Sequence, residues 1–490
     1  MTKTAAIIGG GVIGGGWAAR FLLNGWNVRV FDPDPEAGRK IGEVLDNARR
    51  SLPGLSDAPM PDEGALSFHD TMDDTVQGAI WIQESVPERL DLNQRTFASL
   101  QAACDPGAII GSSTSGFKPS ELQTGSSRPG QIVVTHPFNP VYLLPLVELV
   151  GTDANAPDLF ERAKELMTGI GMYPLHVKQE IEAHVADRLL EVVWREALWL
   201  VRDGIATTEE IDNAIRYGFG IRWAQMGLFE TYRVAGGEAG MRHFIAQFGP
   251  TLEFPWCKLM DVPELTDALV DRIADQSDAQ SGMHSIRELE RIRDDNLVGM
   301  MRALKHNDWG AGALLRAHDA PQKAAAGLSG GVDQMDLSGP VRTLARAVPL
   351  DWTDYNNHMT ESRYLDAFAQ STDRFMEMMG CDSDYIASGG SYFTAETHIR
   401  HLDEVRAGAR IEVRTQMLLG AGKKLHLFHA MYEGDRLLAT GEHFLLHVSL
   451  ESRKPCAPSP EIEAALAKVS AAHAQLPYPE GAGAAIRKPA

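Results

Sequence analysis

Thr4-Ala5-Ala6-Ile7-Ile8-Gly9-Gly10-Gly11-Val12-Ile13-Gly14 is the stretch whose reading decides the fold. Ala5 to Ile8 is a short apolar run without polar alternation, the pattern of a strand buried on both faces. Gly9, Gly11 and Gly14 then fit Gly-x-Gly-x-x-Gly, and a helical pattern opens directly behind them at 17–23. The spacing alone is a weak signal, but the strand before and the helix after give it meaning. Gly9 allows a tight turn, Gly11 a close approach of backbone to a pyrophosphate, and Gly14 close packing of helix on strand. Val12 and Ile13 would offer free N–H groups at the helix N-terminus, where the dipole favours anions. Asp32 ends the next strand, 18 residues after Gly14. A carboxylate there accepts from ribose hydroxyls and repels a 2′-phosphate, so the expected cofactor is NAD. The competing reading is a glycine-rich turn in some other α/β protein.

Outward from this motif, apolar runs recur at 28–31, 79–82, 108–110, 132–134 and 146–150, separated by helical patterns at 36–48 and 92–102. That alternation predicts a doubly wound, mostly parallel sheet, an α/β Rossmann domain over 1–180. Val185, Leu189, Leu190, Val193, Ala197 and Leu200 then recur at three- and four-residue steps. With helical stretches at 208–217 and 286–304, they predict an all-α substrate and dimerisation domain over 181–323. Residues 324–340 include Gly327-Leu328-Ser329-Gly330-Gly331 and read as a linker. Alternating runs at 342–348, 391–401, 410–418, 424–432 and 437–450 surround one helical stretch at 361–379. They predict an α+β domain over 341–456. The tail, 457–490, is rich in Pro, Ala and Gly, and its last dozen residues are expected to be disordered.

The chain has 490 residues and a formal net charge of −20. That charge argues against a nucleic-acid partner, and no apolar run approaches the ~20 residues a membrane helix needs. The first strand starts at Thr4 and leaves no room for an export segment, so a cytoplasmic location is expected. Cys104, Cys257, Cys381 and Cys456 are far apart and form no Cys-x-x-Cys pair. Neither a metal site nor a disulfide framework is expected.

His136 closes one apolar run and Glu148 interrupts another. A carboxylate inside a buried strand needs a partner. A histidine at the mouth of a parallel sheet lies where such folds bind ligands. A purely structural His–Glu pair and a base with its orienting acid both fit these facts.

Ser112-Ser113-Thr114-Ser115-Gly116, His136-Pro137-Phe138-Asn139-Pro140 and Leu146-Val147-Glu148-Leu149-Val150 together resemble the 3-hydroxyacyl-CoA dehydrogenase superfamily, over residues 1 to about 320. The resemblance implies that Ser115 binds the substrate oxygen, His136 is the general base and Glu148 orients it. It also places Glu88 at a cofactor position. An imidazole suits removal of an alcohol proton while hydride leaves carbon. One departure stands out in Glu182-Ala183-His184-Val185-Ala186-Asp187-Arg188, where Asp187 replaces the family's Asn. A carboxylate there suits a cation better than an acyl chain. The stretches Gly218-Phe219-Gly220-Ile221-Arg222-Trp223 and Thr231-Tyr232-Arg233-Val234-Ala235-Gly236-Gly237-Glu238-Ala239-Gly240-Met241 resemble the carnitine-oxidising branch of the superfamily. Aromatic faces hold quaternary ammonium heads by cation–π attraction. Phe138, Tyr142, Trp194, Trp223, Phe229 and Tyr232 are the candidates, of which two or three would touch substrate. Arg222 or another cation would hold the carboxylate.

Val348-Pro349-Leu350-Asp351-Trp352-Thr353-Asp354-Tyr355-Asn356-Asn357-His358-Met359 precedes the helix of the last domain. It resembles the hot-dog thioesterases related to 4-hydroxybenzoyl-CoA thioesterase. The resemblance implies Asp354 as nucleophile or general base, with Asn357 and His358 positioning a CoA thioester. Asp354 as a mere helix-entry residue in an inactive dimerisation module is the bland alternative. Fusion to a carnitine-oxidising dehydrogenase implies betainyl-CoA as the thioester. Another small 3-hydroxy acid or acyl-CoA is the runner-up, and a non-catalytic crystallin-like NAD-binding protein comes third. Both resemblances imply a homodimer or larger homo-oligomer.

Overall fold

The computed structural model describes residues 3–236, 238, 240–250, 256–258, 264 and 266–484. The chain forms two compact units: Met1–Ala48 with Glu63–Leu315, and Arg49–Asp62 with Arg316–Ala490.

The first unit is built on eight strands: β1 Thr4–Ile8, β2 Asn27–Phe31, β3 Leu66–Phe68, β4 Trp81–Glu84, β5 Ile109–Ser112, β6 Ile132–Pro137, β7 Leu146–Val150 and β8 Tyr173–Val177. Their order is β3-β2-β1-β4-β5-β6-β7-β8, and only the β6–β7 pair is antiparallel. The doubly wound sheet expected from the alternation is present. Ile8, Ile82, Ile110, Ile132 and Val134 share its core with Phe97 and Leu100. The strand order reverses between β1 and β4, which opens a crevice at their C-terminal ends. Gly9, at φ 98°, turns the chain from β1 into the helix Val12–Leu23. A Cβ on Gly14 would lie 1.8 Å from the Gly9 carbonyl oxygen, so the helix approaches the strand only because residue 14 is glycine.

The segment after β8 is helical, as its periodicity predicts, with helices including Ala186–Arg202, Gly220–Ala235, Asp267–Ser281 and Ile286–His306. Its apolar faces are mostly uncovered. In Ala186–Arg202 only Leu198 and Val201 are buried, while Leu189, Leu190 and Trp194 are each more than half exposed. Gly237 and Ala239 of the quoted motif lie outside the described residues.

The second unit holds β9 Val341–Ala347, β10 Gly390–His401, β11 Arg410–Ala421, β12 Lys424–Glu433 and β13 Arg436–Ser449. They form an antiparallel sheet in the order β10-β13-β12-β11-β9. The helix Glu361–Met378 buries Tyr364, Ala367, Phe368 and Phe375 in its core. This is the α+β hot-dog arrangement expected.

Three boundaries shift. Residues 49–62 cluster with this unit rather than with the Rossmann domain, and the buried Arg346 guanidinium pairs with Asp57. The stretch 324–340 is more than a linker, because Val332, Met335 and Leu337 pack on the core and Arg374 donates to the Gly330 carbonyl at 2.7 Å. The tail contains a helix, Pro460–His473, that buries Ile462, Leu466 and Val469 against Met417, Leu425, Leu427 and Leu445. Beyond it the Pro477 carbonyl accepts from Gln416, and Gly483 N–H donates to Glu442 at 2.8 Å. The Pro/Ala/Gly content of this tail masks an apolar i, i+4, i+7 stripe, with Pro460 at the helix start.

Among the described residues no helix is long and apolar enough to cross a membrane.

Candidate active site

The antiparallel register of β6 and β7 sets His136 directly opposite Glu148. Their side chains meet with Nδ1···Oε2 at 2.9 Å, in a buried setting. The other carboxylate oxygen accepts from the Val185 N–H at 2.9 Å and the Ala186 N–H at 3.0 Å. These N–H groups lie at the N-terminus of the helix Ala186–Arg202, where a negative charge is favoured. Burial pushes the Glu148 carboxyl up, but the bonds from His136, Ala186 and Val185 outweigh it and hold the group below its ordinary range. A charged Glu148 only accepts, so Nδ1 carries the ring proton and Nε2 presents its lone pair. That Nε2 lies 3.6 Å from Oδ2 of Asp187. Burial raises the Asp187 carboxyl above its usual range, helped by the negative charges of Glu148 and Glu88. Phe138 stands edge-on to the His136 ring at 5.1 Å. The His184 ring lies 5.5 Å from it, buried and 3.3 Å from the Thr114 carbonyl. Burial, then the neighbouring His136, pulls the His184 imidazole down.

A cavity of about 270 Å³ opens at this point, lined by Ile13, Glu84, Ser85, Val86, Glu88, Ser113, Ser115, His136 and Pro137. It brings together Ser115, His136, Glu88 and the first turn of the nucleotide-loop helix. Glu88 accepts from the Thr114 hydroxyl and from Gly116 N–H, and so ties the β4 loop to the loop carrying Ser115. Sequence reasoning missed Glu84. It ends the fully buried strand β4 and lines the same cavity.

The nucleotide end of the crevice suits NAD. A Cβ on Gly11, which caps the helix Val12–Leu23, would meet nothing within 4 Å, so the space over the free N–H groups is open. Asp32 follows β2 and accepts from the N–H groups of Gly10 and Asp34, which fixes its carboxylate beside that loop.

Two aromatic candidates are placed elsewhere. Tyr142 is buried, donating to Asp294 at 2.7 Å and accepting from Arg293 at 3.2 Å. Its hydroxyl anchors the helix Ile286–His306, and Tyr142 is not among the residues that line the cavity. Trp223 packs on Phe219 with ring centroids 4.6 Å apart, outside the cavity.

In the second unit, Asp354 occupies a tight turn ahead of the helix Glu361–Met378. Its Oδ1 accepts from Asn356 N–H at 2.8 Å and His358 N–H at 3.4 Å. Asn357 is exposed at the tip, at φ 62°. His358 accepts at Nε2 from Arg406 at 3.3 Å and faces Glu404 through Nδ1 at 3.2 Å. Oδ1 of Asp354 thus caps the turn, an arrangement compatible with either reading of this residue.

Residues 4–181 match the NAD binding domain of 3-hydroxyacyl-CoA dehydrogenase, and residues 184–268 match its C-terminal domain. Residues 348–466 match the thioesterase-like superfamily. Fold and site thus define an NAD-binding dehydrogenase of the 3-hydroxyacyl-CoA type followed by a thioesterase-like domain. A crystal structure of FHMPC 5-dehydrogenase, an NAD+ dependent dismutase, is similar with a TM-score of 0.53 and 25% identity, covering 62% of this chain and 99% of that one. An L-carnitine dehydrogenase/betainyl-CoA thioesterase of Ruegeria pomeroyi is 77% identical over 99% of this chain and 100% of its own length. Another of the same name, from Agrobacterium fabrum, is 54% identical over 98% of each chain. An L-carnitine dehydrogenase of Mesorhizobium japonicum is 60% identical over 64% of this chain and 88% of its own length. The chain belongs to the family of L-carnitine dehydrogenase/betainyl-CoA thioesterases.

Proposed function

We propose that this chain oxidises L-carnitine to 3-dehydrocarnitine with NAD, and hydrolyses betainyl-CoA to glycine betaine and CoA. The observation that carries the first half is Asp187, a carboxylate 3.6 Å from the nitrogen of His136 that would receive the alcohol proton. A quaternary ammonium group two bonds from the reacting carbinol would stand beside that carboxylate, with the Phe138 ring close by, its centroid 5.1 Å from that of His136. Bound NAD supplies the hydride acceptor. Every other task falls to the chain: Ser115 hydrogen-bonds the substrate oxygen, His136 takes the hydroxyl proton at Nε2, and Glu148 stabilises the imidazolium at Nδ1.

In the second half, Asp354 acts as nucleophile or general base, with Asn357 and His358 positioning the thioester. The unpaired N–H groups opening the helix Glu361–Met378 would receive the developing oxyanion. The uncovered Leu189, Leu190 and Trp194 support a homodimer through the helical segment, since such faces mark association surfaces. The expected location is the cytoplasm.

The test is NADH formation with NAD and a panel of 3-hydroxy acids. Carnitine should give the largest kcat/KM. A signal from 3-hydroxybutyrate or its CoA ester, with none from carnitine, would overturn the reading.

A further inference from the structure

Glu84 is 1% exposed at the end of β4. Its carboxylate accepts from the Ser112 hydroxyl at 2.5 Å, Val86 N–H at 2.8 Å and the Asn93 amide at 3.1 Å. All three donors are neutral. Around it, the β4 loop brings Glu88, a second negative charge, and β6 brings His136, backed by Glu148 on β7 and by His184 and Asp187 at the helical segment. Arg89 pairs with Asp91 and Lys118 with Glu182, and among the described residues no cation pairs with Glu84. A buried carboxylate without a cation is costly, and such groups either hold a proton or wait for a positive ligand.

The cavity that Glu84 lines also holds Ser115 and His136. The nicotinamide ring must come to these groups to take hydride from the substrate, and in its oxidised form it is a cation. We propose that Glu84 is the charge-compensating carboxylate for this oxidised ring, so that the site discriminates NAD+ from NADH by charge. Hydride transfer removes the ring's charge, and Glu84 is then left without its counter-ion and takes up a proton. Burial already raises its carboxyl to about 7, the bonds from Ser112, Val86 and Asn93 opposing and Glu88 assisting. Near neutrality a good share of the free enzyme therefore holds that proton. Binding NAD+ should expel it, and binding NADH should not. The inference rests on NAD binding alone and is independent of which alcohol is oxidised.

Titration calorimetry of each cofactor, at pH 7 in two buffers of different ionisation enthalpy, tests it without substrate. The wild-type protein should release protons with NAD+ and none with NADH. Glu84→Gln should abolish the release and weaken NAD+ by about tenfold or more, while NADH changes by less than about threefold. Equal proton exchange for both cofactors in the wild type would overturn the proposal, and this holds even if the variant fails to fold. So would a Glu84→Gln protein that weakens both cofactors alike, or that keeps the NAD+-linked release, since His136 or Asp187 would then be its source.

Discussion

At the scale of single residues, the site turns on Glu148. One of its oxygens serves His136 and the other serves two backbone N–H groups. Glu148→Gln can keep its oxygen on the Val185 and Ala186 N–H groups only by turning its amide N–H2 toward His136, which would make Nδ1 an acceptor and put the ring proton on Nε2, the atom that must take the alcohol proton. We expect kcat for NADH formation to fall by roughly 10²–10⁴ with NAD affinity nearly unchanged. Steady-state rates and cofactor titration check this, and a loss of under about threefold would remove Glu148 from the mechanism. His136 and Glu148 were legible in the sequence because polar residues in buried strands have few harmless explanations. The anchoring role of Tyr142 was not legible, because its partner Asp294 lies on a helix distant in sequence. Glu84 escaped because its significance lies in what surrounds it, three neutral donors and, among the described residues, no paired cation.

At the scale of elements, the helix Glu361–Met378 and the second sheet enclose a chain of polar groups. The Val413 carbonyl accepts from Thr343 at 3.3 Å, which makes Thr415 the donor to Thr343 at 2.7 Å. His429 then donates from Nδ1 to Thr415 at 2.8 Å and accepts at Nε2 from Thr372 at 2.9 Å. Thr372 in turn accepts from Nδ1 of His443 at 3.0 Å. The chain ends at the buried Nε2 of His443, which has no partner among the described residues. This order needs the His429 ring neutral, and burial favours the neutral form of His443 as well. Burial drives His429 far down, assisted by His443, and drives His443 to about 4. In the unfolded chain each would bind its proton near the ordinary histidine value of about 6.5. Stability is therefore present above that pH and lost as pH falls from about 6.5 toward 4, at up to roughly 1.4 kcal/mol per histidine per pH unit. Thermal melts of the thioesterase unit at pH 7 and pH 5 should show this loss, and a shallower one in His443→Gln. Equal melting temperatures at the two pH values would contradict the neutral-ring assignment. Strand alternation foretold these strands, but not that histidines and threonines would fill inward positions. Such a network is visible only once register is known.

At the scale of the whole molecule, the two proposed activities draw on separate side chains. Asp354→Asn keeps a side-chain oxygen for the Asn356 and His358 N–H groups, so the turn should survive. Hydrolysis of betainyl-CoA, followed by thiol release, should drop at least about a hundredfold while carnitine-dependent NADH formation stays as it was. A parallel fall in NADH formation by a folded variant would show that the halves do not work independently. The two-part plan was readable because a glycine-rich βα turn and an alternating β pattern are unlike each other. Its seams were less so, since the helix Pro460–His473 carries a core stripe in a composition that suggests disorder. That helix has a bearing on biosynthesis. All five strands of the second sheet leave the ribosome before it does, so Met417, Leu425, Leu427 and Leu445 stay uncovered until the helix follows them out. A ribosome stalled just past β13 would carry a finished dehydrogenase half and a thioesterase half with its apolar layer open, a natural substrate for chaperones.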